Sequence, residues 1–453
     1  MRAPLSPMLH RLCALSVLVG AALSPVAPAA AMDLREAYAA ALANDATVRA
    51  ARAAAEATRE RLPQAQSQRR LSISLSAGRT YNDLTSESSN SAGKPVTNTS
   101  NYYSGNQVLT VRQAIYRPFA SALVRQAEAQ VEDAGATLER EEQGLVVRVG
   151  ETYFDALLAE DQLLLVQSQK KNYTIQLDAA KKGFAAGSGT RTDIDDAQAK
   201  LDMTLAQELE VRQNLDFTRR RLEVLTGQAD ARIAPLNVAA FMPRPPDPVS
   251  LQAWIERAEQ SSPEIASLRA QVEVANQEID KAQAGHMPTL DAVAQWARTN
   301  SDSVSSVNTR YDNRTIGLQL TVPIYSGGYT SSTVRAAVAS RERAIDLLEA
   351  TRRDLGVRVH REFRGMTEGV LRIAALEQAA RSADQAVLSN KRSFEAGLRT
   401  TIDLLNAEQQ RTLTLRDLAQ ARYQYLVSRL RLSALAGEDK DANVAVANSS
   451  LGS

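Results

Sequence analysis

A chain that repeats itself must fold as two like bodies, and this one does so at a fixed spacing of 210 positions. Arg148, Phe184, Gly187, Thr190, Asp193, Ala197, Arg212, Leu225 and Gly227 recur as Arg358, Phe394, Gly397, Thr400, Asp403, Ala407, Arg422, Leu435 and Gly437, with no gap. The openings of the two units match as well, residues 34–52 resembling 251–269 at a spacing of 217. Units this long exceed solenoid repeats and imply a pseudo-symmetric pair. The expected division is a signal peptide at 1–31, a first repeat at 32–234, a Pro-rich linker at 235–249, a second repeat at 250–437 and a loose polar tail at 438–453.

Arg2, His10 and Arg11 precede an apolar run at 12–23, and Ala29, Ala30 and Ala31 offer a small-residue cleavage site, the pattern of a secretory signal. The one cysteine, Cys13, lies in that leader with no lipobox before it, so the exported chain is expected to lack disulfides and thiol chemistry. Fifty-three basic residues against 52 acidic give no reason to expect nucleic acid as a partner. A hydrophobic share of 44% excludes global disorder, and an aromatic share of only 5% beside abundant Ala, Leu, Gln and Arg favours long helices. No later stretch reaches the roughly 18–20 apolar residues that a spanning helix needs. The exported chain therefore either stays in the periplasm or crosses a membrane as β-strands.

Each unit reads as helix, strand, loop, strand, helix, helix. Residues 33–62 and 250–284 have apolar spacings of three and four, the period of amphipathic helices. The period then changes to two. Leu71, Ile73 and Leu75 alternate with Ser72, Ser74 and Ser76, and Ile316, Leu318 and Leu320 alternate with Gly317, Gln319 and Thr321. Residues 107–116 and 290–298 alternate less cleanly, and the polar stretches 82–104 and 299–312 are expected as exposed loops. Helical runs follow at about 118–182 and 329–391, each nearly 100 Å long at about 1.5 Å per residue. Such helices cannot bury themselves in a compact domain; they need neighbours along their length, as in a coiled-coil cylinder. After breaks at 183–189 and at Gly397, helix resumes through 190–226 and 400–436.

Strands apolar on one face and small and polar on the other suit a barrel with lipid outside and water inside. A solvated sandwich sheet would show the same alternation, but export without a membrane helix favours the barrel. Tyr81, Tyr102, Tyr103, Trp296, Tyr311 and Tyr325 lie near the strand ends, where an interfacial girdle would place them. Four strands are too few to close a membrane barrel, and an open edge in lipid would leave backbone donors unpaired. Several copies must then share one barrel. The expected fold class is mainly α with a small β part: duplicated long helical hairpins plus four antiparallel strands.

Ala284-Gly285-His286-Met287-Pro288-Thr289-Leu290-Asp291 resembles the approach to the third strand in TolC-type outer-membrane channels, and Val322-Pro323-Ile324-Tyr325-Ser326-Gly327-Gly328 their strand-to-helix corner. Phe394 through Asp403 and Ala421-Arg422-Tyr423-Gln424-Tyr425-Leu426 resemble their second-half helices, and the likeness extends over nearly all of 33–437. The resemblance implies a homotrimer: a twelve-stranded barrel in the outer-membrane lipid of a Gram-negative cell, continuing as an α-helical tunnel across the periplasm. It implies docking to a periplasmic adaptor and an inner-membrane ABC or proton-driven pump, and passage of secreted proteins or small toxic compounds. It further implies a periplasmic gate at Gln176, Thr192, Asp193, Phe394, Arg399, Asp403 and Asn406, with adaptor-contact tips at Gly187 and Gly397. Arg399 is expected to donate to Gln176 and toward Thr192.

Two departures stand out. Phe394 replaces the family's usual Tyr and removes a hydroxyl link to Asp193; Asn406 stands where some members carry a second Asp, leaving three constriction carboxylates per trimer in place of six. Read without the resemblance, Asp193 and Asp403 are equally well helix-start carboxylates, Arg399 a solvated helix residue, and Gly187 and Gly397 helix breakers. Asp193, Asp195 and Asp196 lack the spacing of a calcium loop, and His286 and His360 are too scattered for zinc, so no metal or cofactor is expected. Gly187-Ser188-Gly189 follows no strand, and no nucleophile motif is present, so neither nucleotide binding nor catalysis is expected. Other readings are a channel dedicated to one type I secretion substrate and, in a different class, a soluble periplasmic coiled-coil scaffold or adaptor. An exported enzyme is the least supported by the motifs.

Overall fold

The computed structural model describes residues 31–229, 231–303 and 306–452, and the side chains of 301–308 are left aside. The expected signal peptide, Cys13 included, lies outside the described residues except for Ala31. The first unit runs α1 (Leu34–Asn44), α2 (Ala46–Arg59), α3 (Arg61–Ser67), β1 (Ser72–Ser89), β2 (Pro95–Tyr116), α4 (Pro118–Ala185) and α5 (Arg191–Thr226). The second runs α6 (Leu251–Ser261), α7 (Pro263–Gln283), β3 (Thr289–Ser303), β4 (Ser306–Thr321), α8 (Tyr329–Glu395) and α9 (Thr401–Leu435), followed by α10 (Lys440–Asn448). The duplication is thus structural as well as sequential, and the mainly helical chain with four antiparallel strands has the expected fold class.

Three expectations need correction. The opening helices are not continuous. Asp45 leaves helical geometry at ψ 118° and caps α2 through its side chain on the Val48 amide at 2.8 Å. Ser262 likewise leaves helical geometry, at ψ 125°, though without a side-chain cap, because Pro263 excludes helical geometry from the residue before it. The polar stretches 82–104 and 299–312 are mostly strand. β1 and β2 pair without interruption from Ser72↔Arg112 to Ser89↔Pro95, because a ladder needs backbone partners and no apolar face. The tail is also not loose: Asp439 caps α10, and Val444, Ala447 and Leu451 are buried in the main core.

That core sits midway along the molecule, where the short helices pack on the middle of the long ones. Leu34, Tyr38, Leu145, Tyr153, Phe154, Ile265, Leu355 and Leu426 are all buried in it. The Tyr153 hydroxyl lies 3.0 Å from the carbonyls of both Met32 and Ala234, fixing the start of the first unit against its end. Phe154 and Tyr423 stack across the two repeats with ring centroids 6.0 Å apart. Beyond this body α4 and α8, of 68 and 67 residues, extend roughly 100 Å at about 1.5 Å per residue. Each folds back on α5 or α9 as an antiparallel hairpin.

The sheet at the opposite end has the order β1-β2-β3-β4, so β1 and β4 are open edges. At the corner between sheet and helices, Arg117 before α4 grips the buried Asp291 of β3 with Nη2 2.8 and 3.1 Å from its two oxygens, joining the repeats. One sheet face carries Ile73, Leu75, Leu109, Ile316, Leu318 and Leu320 in register. The other carries Ser72, Ser74, Ser76, Thr110, Gln295 and Gln319, with Val108 and Val293 among them. Ile316 is 88% exposed, so the apolar face has no cover among the described residues.

Candidate functional site

The far ends of the hairpins hold the expected site residues, and the local sequence builds both ends alike. α4 stops in a Schellman turn: Gly187 takes φ +74°, its amide meets the Phe184 carbonyl at 3.0 Å, and Ser188 N reaches Gly183 O at 3.0 Å. α8 stops likewise, with Gly397 at φ +76° and bonds Gly397 N to Phe394 O of 2.9 Å and Leu398 N to Ser393 O of 2.8 Å. Three residues beyond each glycine, Thr190 or Thr400 caps the next helix.

Both caps are complete capping boxes. Asp193 Oδ2 accepts from the Thr190 hydroxyl at 2.6 Å and the Thr190 amide at 2.9 Å, while the Asp193 amide donates back to Thr190 Oγ1 at 3.2 Å. Asp403 repeats this on Thr400 at 2.8, 3.1 and 3.3 Å. The Thr190 hydroxyl, then its amide, hold the Asp193 carboxyl below the usual carboxylate range, and the Thr401 hydroxyl of the other repeat adds to this. For Asp403 the Thr400 amide leads, followed by the Thr400 hydroxyl and the Arg399 charge, with the same direction.

The remaining residues fall into place unevenly. Arg399 is exposed and lies along its own helix start, Nη1 3.7 Å from Asp403 Oδ1. The expected donation to Gln176 is not among the hydrogen bonds of the described residues, since the i,i+4 carboxylate is nearer at hand. Gln176 and Phe394 are half-buried, while Thr192 and Asn406 are exposed. Asp195 pairs with Arg191 at 3.2 Å. The structure therefore seats Asp193 on Thr190 and Arg399 beside Asp403, and leaves Asn406 exposed on this chain.

What sequence reading passed over is the latch between the first hairpin and α9. Tyr173, Leu177, Ala197 and Leu405 form a small separate core near the tips. Gln169 Nε2 donates to the buried Tyr173 hydroxyl at 2.9 Å, and that hydroxyl donates to Leu405 O at 3.4 Å. Asn172 reaches Glu408 at 3.1 Å and Lys200 reaches Gln409 at 2.6 Å. The repeat gives no signal for these pairs because they join unlike helices; only the apolar spacing of Tyr173, Leu177, Ala197 and Leu201 points to them.

Among the described residues no helix is long and apolar enough to cross a membrane. Paired 100 Å-scale hairpins hung from a sheet with one bare apolar face and two open edges define the subunit of a tunnel-forming membrane channel. The model of the outer membrane efflux protein family matches residues 37–228 and 254–438, and the chain belongs to that family of Gram-negative outer-membrane channels. It is 34% identical over 430 residues to the alkaline protease secretion protein AprF of Pseudomonas aeruginosa, covering 92% of this chain and 87% of that one. It is 31% identical to the proteases secretion protein PrtF of Dickeya chrysanthemi (90% and 89% covered) and 28% identical to the outer membrane protein TolC of Escherichia coli (96% and 89%). Among solved structures, the outer membrane protein VceC of Vibrio cholerae shares the fold at a TM-score of 0.77 and 19% identity, over 89% of this chain and 96% of that chain.

Proposed function

We propose that three copies close a twelve-stranded barrel and a continuous helical tunnel, forming a passive exit duct. It works with a periplasmic adaptor and an inner-membrane ABC or proton-driven pump, and is a transport component rather than an enzyme. The observation that carries this is the four-stranded sheet with an exposed apolar face and both edges open. In lipid each unpaired edge group costs several kcal/mol, and only closure through sibling copies removes that cost. The tips at Gly187 and Gly397 are the adaptor-contact points in this reading. Gln176, Thr192, Asp193, Phe394, Arg399, Asp403 and Asn406 make the gate, with Asp403 repeated around the axis to shape cation selectivity.

A more specific reading is a channel dedicated to protein secretion, favoured by the two relatives at 34% and 31% identity being protease secretion proteins. Deleting the protein and measuring both the secretome and drug susceptibility separates the two. Loss of one secreted protein with unchanged susceptibility supports dedication; broad hypersensitivity supports a shared exit. Membrane fractionation tests the channel itself, and recovery of the chain without detergent would favour a periplasmic scaffold.

A further inference from the structure

We propose that the outward face of the sheet, just beyond its apolar band, binds the phosphorylated headgroups of anionic glycolipid in the outer leaflet. This rests on the barrel reading above. Directly paired residues of an antiparallel sheet share a face, so the register reads as rows. Nearer the helices, Ile73, Val111, Ala294 and Ile316 form a wholly apolar row. Moving away from the helices come Leu75, Leu109, Trp296 and Arg314, then Ala77, Gln107, Arg298 and Asp312, then Arg79, Gly105, Asn300 and Arg310. The face passes from hydrocarbon to four arginines and one carboxylate within three rows. Further out come the carboxylates Asp302, two residues beyond Asn300 in the sequence of β3, and Asp83, beyond Tyr81 and Tyr103.

Asp312 is already taken. It accepts from Trp296 Nε1 at 2.8 Å and Arg298 Nη2 at 2.9 Å, with Arg314 Nε 3.8 Å away. Arg79 lies over the Tyr103 ring at 4.8 Å, Arg298 over Trp296 at 5.3 Å, and Arg310 donates to the neutral Asn300 at 3.2 Å. Ring stacking steadies a guanidinium while leaving its edge donors free. Arg314 is 82% exposed.

The opposite face of the same rows, including Ser76, Gly78, Asn106, Ala297, Thr299 and Asn313, is uncharged, so the arginines are not a lining of the pore. Closing the barrel sets β4 beside β1 of the next copy, which brings Arg310 and Arg314 one strand from Arg79 of the partner subunit. Like charges gathered against a low-dielectric band require a counter-anion at that depth. A lipid phosphate supplies it, accepting from the guanidinium forks two bonds at a time.

The test titrates purified full-length trimer with bis-phosphorylated lipid A, and with the same glycolipid stripped of its phosphates, by native mass spectrometry. Wild-type protein is expected to retain the phosphorylated form alone. Arg79→Gln, Arg310→Gln and Arg314→Gln together are expected to weaken retention about 100-fold, at about a factor of five per arginine near an anionic lipid surface, with conductance unchanged. Equal retention of the two lipids by wild-type protein overturns the proposal without any variant, and so does equal retention by the wild-type and substituted trimers. A purified chain that forms no conducting trimer overturns the barrel reading, and this one with it.

Discussion

The two aspartates at the hairpin ends serve the backbone first. Each is the third residue of its helix and shares its carboxylate with the capping threonine, and Asp403 has Arg399 at its free oxygen. Thr400→Ala removes the cap acceptor and its hydroxyl donor together, a loss of about 0.5–2 kcal/mol at such sites. Because the tip lies far from the main core, the expected result is faster amide exchange at 401–404 with the melting of the trimer unchanged; protection equal to wild type would remove the capping assignment. Both carboxyls titrate below their unfolded value, so their contribution is fully present above the ordinary carboxylate range near about pH 4 and is lost as pH falls through the lower folded value. Exchange at the two tips is therefore expected to be flat from neutral pH down to about 5 and to rise only in stronger acid. Asn406 is exposed one turn from Asp403, so Asn406→Asp is expected to deepen block of single-channel current by divalent cations. An unchanged block would place this turn away from the constriction.

Among the elements, legibility followed periodicity. The long helices were readable because α4 and α8 keep an apolar pattern for nearly seventy residues that no compact domain can use, and the 210-residue spacing identified the paired tips. Strand ends beyond the alternating cores were not readable, since Thr85, Asn98 and Thr99 look like loop residues until a partner strand satisfies their backbone. The acceptor of Arg399 was not readable for a related reason: one chain's sequence does not reveal which of several acceptors a long side chain meets, and within this chain Asp403 is the one beside it. The contacts that join unlike helices were missed entirely, and they matter most near the tips. Leu405 is wholly buried among Tyr173, Leu177 and Ala197. Leu405→Ala leaves a cavity worth about 2–5 kcal/mol in a cluster of four buried side chains, more than such a satellite can absorb. The expected effect is local release of α9 from the first hairpin, seen as larger or noisier single-channel current with the barrel intact. Wild-type conductance in a correctly folded variant would show that this latch does not hold the tunnel end.

For the molecule as a whole, the decisive asymmetry is between an end that is satisfied and an end that is not. The body around Tyr153 and Leu426 closes its own core, and the hairpin ends close their own backbone bonds. The sheet does neither: Ile316, Leu318 and Leu320 are uncovered, and the outer bonds of β1 and β4 have no partner among the described residues. Detergent can cover the apolar face but supplies no row of amides and carbonyls for the edges. Three chains give twelve strands, above the about eight that membrane barrels need, whereas two give eight, with too narrow a bore for the tunnel below. Mass photometry of the detergent-extracted protein is accordingly expected to show one species of three copies that persists on dilution, because dissociation exposes six strand edges at once. A monodisperse one-copy particle with intact β-structure would mean that the edges are satisfied in some other way, and the exit duct would lose its wall.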